Sequence, residues 1–222
     1  MQTLATPHPW SELRVPIDRR AWPGAGVLLG IMAALALTAG GVSVLVLPLL
    51  AAQLAFFRDP ARRIPSGEGV LAPADGVVAD VSAVTEERYL KAPAVRIGIF
   101  LSVFDCHVTR APIGGAVRYL QYQRGAFLNA LRREAAERNE SNRIGMEDGR
   151  HRVLIRQIAG TIARRIHWDV ALDRAVEQGE KVGIICYGSR VECVIPESEF
   201  RPRVSVGQRV RAGETVLGEW SS

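Results

Sequence analysis

The chain has 222 residues, 48% of them hydrophobic, with a formal net charge of +5, enough to bury one sizeable core or a core plus an anchor. The charge comes from 26 arginines against two lysines, Lys91 and Lys181; guanidinium groups favour phosphate or carboxylate partners, although genomic base composition gives the same bias. Arg118, Arg124, Arg132, Arg133 and Arg138 are spread among acids without a nucleic-acid motif, so no nucleic-acid partner is expected. Cys106, Cys186 and Cys193 are odd in number and lack C-x-x-C spacing, which indicates a reduced compartment and no metal site of the thiolate zinc type.

Residues 1–20 form a basic N-terminal segment. From Ala21 to Phe57, 37 residues carry no charge, which predicts a membrane anchor over 21–57. The apolar stretch starts too far from Met1, and lacks the cleavage site, for a secretory signal. Gly40-Gly41 lies in its middle, and basic residues flank both ends: Arg14, Arg19 and Arg20 before, Arg58, Arg62 and Arg63 after. Both ends are therefore expected on the cytoplasmic face of the cell membrane. Each half, 24–39 and 42–57, has 16 residues and reaches about 24 Å as a helix, short of a hydrocarbon core of about 30 Å. A re-entrant hairpin fits that length, and one tilted span kinked at Pro48 competes with it. Either arrangement sets the remainder against a bilayer and makes a lipid the first substrate class.

Residues 58–222 read as one domain opened by Pro60, Pro65 and Ser66-Gly67. The segment 70–81, VLAPADGVVADV, predicts a hairpin around Pro-Ala-Asp-Gly, and 95–103 predicts a buried strand. Residues 126–138, AFLNALRREAAER, carry apolar positions at helical spacing. From Arg152 onward strand-like runs return, and 204–220 predicts a closing hairpin. The expected class is α+β and β-rich, a small barrel-like or sandwich-like domain with few helices behind a hydrophobic membrane hairpin.

Residues 183–195, GIICYGSRVECVI, place Gly188-Ser189-Arg190 inside an apolar run. A nucleophile elbow needs G-x-S-x-G before a helix, and a strand follows here. A lipoyl-type carrier needs a lysine at a hairpin tip, and neither tip has one. Two readings remain open on the residues alone: a β-bulge at the glycine, which spacing favours, and self-cleavage at Gly-Ser.

Six blocks then matter together: FFRDPARRIP (56–65), APADGVV (72–78), FDCHVTRAP (104–112), GAFLNA (125–130), NESN (139–142) and YGSRVECVIP (187–196). In this order the chain resembles the phosphatidylserine decarboxylases, in their short, membrane-anchored form with a Gly-Ser-Arg processing site. The resemblance implies cleavage between Gly188 and Ser189 into a β subunit (1–188) and an α subunit (189–222) that stay associated. It implies a covalent pyruvoyl cofactor derived from Ser189, which forms a Schiff base with phosphatidylserine, releases CO₂ and yields phosphatidylethanolamine. His107 is implied as the acid or base and Asp75 as the acid that helps self-cleavage; Arg190, Phe127 and Asn129 are headgroup-facing candidates. Longer members of the family carry H-x-x-H where this chain has His107 and Arg110. That leaves either His107 serving both reactions or Asp75 acting without a histidine relay. The alternatives are an archaeal ether-lipid (archaetidylserine) decarboxylase and a non-catalytic, membrane-tethered β-sandwich. Oligomer number is left open.

Overall fold

The computed structural model describes residues 16–125, 139–160, 166–185 and 189–221. The chain divides into two compact units, Met1–Ala61 and Arg62–Ser222.

The first unit is a helical hairpin: α1 (Ala21–Ala39), a 3-10 segment (Gly40–Val46) and α2 (Leu47–Phe56). Pro23 and Pro48 each fall in the first turn of a helix, where a missing N–H leaves no helical bond unmade, so Pro48 opens a helix instead of kinking one. The base is tied by backbone bonds, Asp18 N–H to Phe57 O (2.8 Å) and Asp59 N–H to Pro16 O (2.7 Å). This sets Arg19, Arg20 and Arg58 at the same end of the hairpin. A side chain at Gly24 would press on the Gln53 amide, so glycine there lets the two helices approach. Trp22, Val27, Leu29, Leu37, Val44 and Leu45 point outward and are exposed. Among the described residues, Ala21–Thr38 is the one helix long and apolar enough to cross a membrane. The arms are longer than the 24 Å expected: α1 has 19 residues, roughly 28 Å, and the 3-10 segment plus α2 together reach roughly 29 Å. The gain comes from a helix that starts at Ala21 and from a 3-10 segment that begins directly at the break, where Gly40 takes φ of 54° and ψ of −115°.

The second unit is a strand-rich domain, as expected of its class. In chain order its strands are β1 (Val70–Leu71), β2 (Gly76–Glu86), β3 (Ala92–Leu101), β4 (Val108–Arg110), β5 (Gly115–Gln123), β6 (Ser141–Glu147) and β7 (Arg152–Ile158). They continue with β8 (Ile166–Trp168), β9 (Ala175–Val176), β10 (Lys181–Ile185), β11 (Ser189–Pro196), β12 (Phe200–Pro202), β13 (Arg209–Val210) and β14 (Val216–Trp220). Eight strands form a curled antiparallel sheet in the order β13-β2-β3-β11-β7-β6-β5-β9, beside two three-stranded sheets, β1-β14-β12 and β4-β10-β8. The core lies on one face of the large sheet. There Ile97, Ile99 and Leu101 of β3 and Val191, Cys193 and Ile195 of β11 pack with Ile144, Ile155, Ile185 and Leu217. The alternation of these residues along each strand is what selects that face.

Neither predicted hairpin forms. β1 pairs with β14 and β2 with β3 and β13, so 72–76 is a corner where the chain leaves the small sheet for the large one. Residues 210–215 make the reverse crossing between β13 and β14. The two corners lock together: Gly213 N–H donates to Ala72 O (2.9 Å) and Ala72 N–H to Thr215 O (2.8 Å). Gly76 is required at the first corner, with φ of 151° and no room for a side chain beside the Phe100 carbonyl. The helix predicted over 126–138 lies outside the described residues.

Candidate active site

Ser189 is the first residue of β11, a strand paired along its length with β3 and on its other side with β7. Its register with β3 runs unbroken from Ser189 opposite Leu101 to Pro196 opposite Ala94, so no bulge lies within β11. In phase with Val191, Cys193 and Ile195, the Ser189 side chain faces the core and is 0% exposed. Its Oγ has no hydrogen-bond partner among the described residues. An unpaired buried hydroxyl costs about 1–3 kcal/mol, and such cost is found where a group is needed for chemistry. Gly188 lies in 186–188, outside the described residues.

The segment that follows β3 returns to the same end of the sheet. Ile185, the last residue of β10, donates its N–H to the carbonyl of His107 (3.1 Å), so both sides of 186–188 are tied to the stretch 101–107. In that stretch Asp105 closes a tight turn: its Oδ2 accepts the Ser102 N–H (2.8 Å) and its Oδ1 the Arg209 guanidinium (2.8 Å). His107 is buried, with Nδ1 2.9 Å from the carbonyl oxygen of Asp105. A carbonyl only accepts, so Nδ1 carries the proton, and in the neutral ring Nε2 holds the lone pair.

Asp75 sits at the first corner. Its Oδ1 accepts the Ala212 N–H (2.8 Å) and its Oδ2 the Arg62 guanidinium (3.0 Å). Arg62 in turn hydrogen-bonds Cys106, the neighbour of His107. Burial pulls the Arg62 pKa down, but Asp75 and then Cys106 more than offset it and leave it raised. The carboxylate therefore reaches the His107 segment through Arg62, and both its oxygens are engaged by Arg62 and Ala212.

Arg190 follows Ser189 and so points to the opposite face of the sheet. There it is buried between Glu192, whose Oε1 accepts its Nε–H at 2.9 Å, and the Asp80 carboxylate. Burial alone lowers its pKa, and Glu192 and Asp80 turn the net shift upward. This parity separates Arg190 from Ser189. Arg110 likewise points away from Thr109 across β4 and donates to Gly179 O (3.1 Å). Phe127 and Asn129 lie outside the described residues, but the strands that flank them end and begin here, with Gln123 opposite Ser141.

The core face beside Ser189 also holds polar residues that the sequence reading did not single out as site residues. Gln157, opposite Val191 and Asn142, donates through Nε2 to Thr109 Oγ1 (2.8 Å). Gln157 Oε1 and Asn142 Oδ1 have no hydrogen-bond partner among the described residues. A signal was present in V-L-I-R-Q-I: Gln157 is in phase with Val153 and Ile155, so a polar group was due on the core face.

Comparison with known proteins places this arrangement among relatives. A family model described as phosphatidylserine decarboxylase matches residues 49–218. The chain is 45% identical over 194 residues to a phosphatidylserine decarboxylase proenzyme of Carboxydothermus hydrogenoformans, covering 86% of this chain and 91% of that protein. It is 39% identical over 212 residues to one from Symbiobacterium thermophilum, covering 94% and 98%. A proenzyme of the same name from Salinibacter ruber is 42% identical over 176 residues, 76% of each chain.

Proposed function

Because the chain belongs to the phosphatidylserine decarboxylase family, we propose that it cuts itself between Gly188 and Ser189 and uses the resulting pyruvoyl group to turn phosphatidylserine into phosphatidylethanolamine. The observation that carries this reading is the buried Ser189 hydroxyl, which no described residue holds.

In self-cleavage the Ser189 oxygen bonds to the Gly188 carbonyl carbon as the C–N bond breaks, giving an ester and a free Ser189 amine. Loss of the Cα proton expels Gly188 as a carboxylate. One water then displaces the nitrogen as ammonia and leaves the pyruvoyl group at the new N-terminus. The lone pair at His107 Nε2, fixed by the Nδ1 bond to Asp105, supports His107 as the base that takes the serine proton. Asp75, with both oxygens engaged, is better suited to positioning: it holds Arg62 against Cys106 and so steadies the segment that carries His107.

When present, the pyruvoyl carbonyl supplies a sink for the electron pair left on the substrate Cα by loss of CO₂. The protein's own part is to receive the headgroup and to return a proton to that carbon, the second task proposed for His107. The acceptor oxygens of Gln157 and Asn142 suit the ammonium group of a serine headgroup. Arg190 is proposed to brace β11 rather than to touch the headgroup. The outward apolar face of the hairpin supports attachment to a membrane. Its shared basic end supports placing both flanks on the cytoplasmic side.

Intact mass spectrometry of the purified protein tests the reading. Two fragments, 1–188 and 189–222, with pyruvoyl in place of the second fragment's N-terminal serine, are expected, and a single chain for Ser189→Ala. An uncut wild-type chain that still releases CO₂ from phosphatidylserine would remove the cofactor from the reading, and an uncut, inactive chain would remove the activity.

A further inference from the structure

On the face of the large sheet opposite Ser189, a cleft of about 210 Å³ is lined by four arginines, Arg88, Arg96, Arg143 and Arg156. The acids near them are largely committed. Glu192, 1% exposed, is shared by Arg190 (2.9 Å), Arg156 (3.6 Å) and Arg96 (3.8 Å), and Asp80 is shared by Arg190 and Arg96, the latter at 3.5 Å. Glu86 spends its carboxylate on its own turn, accepting the N–H groups of Arg88, Tyr89 and Leu90 at 3.1, 2.8 and 2.7 Å. Glu87 lines the rim and is exposed.

Arg143 is the anomaly. It is only 7% exposed, yet among the described residues no carboxylate forms a salt bridge with it: its Nη1 donates to the amide oxygens of Gln123 (2.9 Å) and Gln121 (3.5 Å). The Arg88 guanidinium donates to the same Gln121 oxygen (2.9 Å). Burial lowers the Arg143 pKa to about 10, the like charges of Arg156 and Arg88 add to the effect, and Tyr119 and Glu86 oppose it only in part. Buried guanidinium groups are normally paired with an acid, because an uncompensated charge in a low dielectric is costly. Several forks converging on one cleft with a surplus of positive charge match an oxyanion that can accept from more than one of them.

We infer that this cleft binds a phosphate group, from a glycerophospholipid headgroup or as free phosphate, at a site separate from the Ser189 side of the sheet. The inference does not depend on the proposed self-cleavage. It concerns the face behind β11, where Glu192 links the cleft arginines to Arg190, the residue after Ser189.

The test is thermal unfolding of the full-length protein in detergent, titrated at constant ionic strength with inorganic phosphate, with the diester glycerophosphoglycerol, or with chloride. A saturable rise in Tm with phosphate or the diester, absent with chloride, is expected. Response to the diester identifies a headgroup as the source, and response to inorganic phosphate alone identifies free phosphate. Arg143→Gln should abolish the rise while unfolding no lower than wild type in phosphate-free buffer, since it removes an unpaired buried cation. Arg88→Gln, at an exposed position that cannot disturb the core, should weaken binding about tenfold, the loss of one charge-assisted bond. No saturable rise with either anion, or an undiminished rise in both variants, overturns the inference.

Discussion

Replacing Asp75 with asparagine separates the two roles a carboxylate can have at the first corner. Asparagine keeps an oxygen for the Ala212 N–H and removes the charge that faces Arg62, whose side chain is 6% exposed. A buried guanidinium deprived of its acid costs about 3–5 kcal/mol. Asp75 is 16% exposed and Cys106 still contacts Arg62, which sets the expectation at the lower end, about 3 kcal/mol. For a unit of this size each kcal/mol moves Tm by roughly 2–4 °C, so a fall of roughly 6–12 °C is expected. Adding Arg62→Met removes the stranded charge, so the double variant should recover a large part of that loss. Thermal unfolding of both singles and the double, all carrying Ser189→Ala so that every sample is one uncut chain, measures the coupling. Additivity within about 0.5 kcal/mol would refute the pairing argument. In chains that retain Ser189, a stable double variant that never cuts would show that the Asp75 carboxylate itself handles the proton.

Three further outcomes follow from the geometry. Gly76→Ala should destabilise the protein by more than about 3 kcal/mol, because φ of 151° and the Phe100 carbonyl both exclude a side chain; a denaturant midpoint close to wild type would contradict the corner. Tyr89 donates its hydroxyl to Met146 O (3.1 Å), and burial, helped by Glu147, pushes its pKa up to about 12. The unfolded phenol ionises first, so this contribution is full below about pH 10 and is lost as pH rises from there toward 12. Tyr89→Phe should flatten the fall in urea midpoint over that window, and an unchanged slope would reject the assignment. Finally, Arg19→Cys and Arg58→Cys should both react with an impermeant thiol reagent from the same side of sealed vesicles; labelling from opposite sides would rule out the hairpin.

How far the residues alone reach is clear from particular elements. The apolar helical hairpin is legible because 37 uncharged residues with a glycine pair in the middle leave little else to be formed. The glycine pair marks the break between its arms, with Gly40 at φ of 54°, and the arms come out longer than read because α1 starts at Ala21 and the 3-10 segment begins directly at that break. The two corners were misread because a Pro-Ala-Asp-Gly turn has the same local chemistry whether the next strand returns to its neighbour or enters another sheet. What decides is the long-range pairing of β1 with β14 and β2 with β13. Arg190 shows the opposite case. Its separation from Ser189 follows from the two-residue period of β11, once the strand is taken to run unbroken through Ser189. The link from Asp75 to His107 through Arg62 and Cys106 was beyond reach, since it joins three distant stretches of chain by side chains alone.

The position of β11 bears on how long the proposed cut form would last. If the proposed cut before Ser189 is made, a strand gripped on both edges would belong to a separate short polypeptide, bound by pairing and packing but no longer by covalent continuity. Folding of the precursor is a first-order event within one chain; reassembly after full opening would be second-order and would fall with dilution. The cut form would thus inherit a structure it could not readily rebuild. Its lifetime would be governed by the height of the unfolding barrier rather than by the equilibrium that first shaped it.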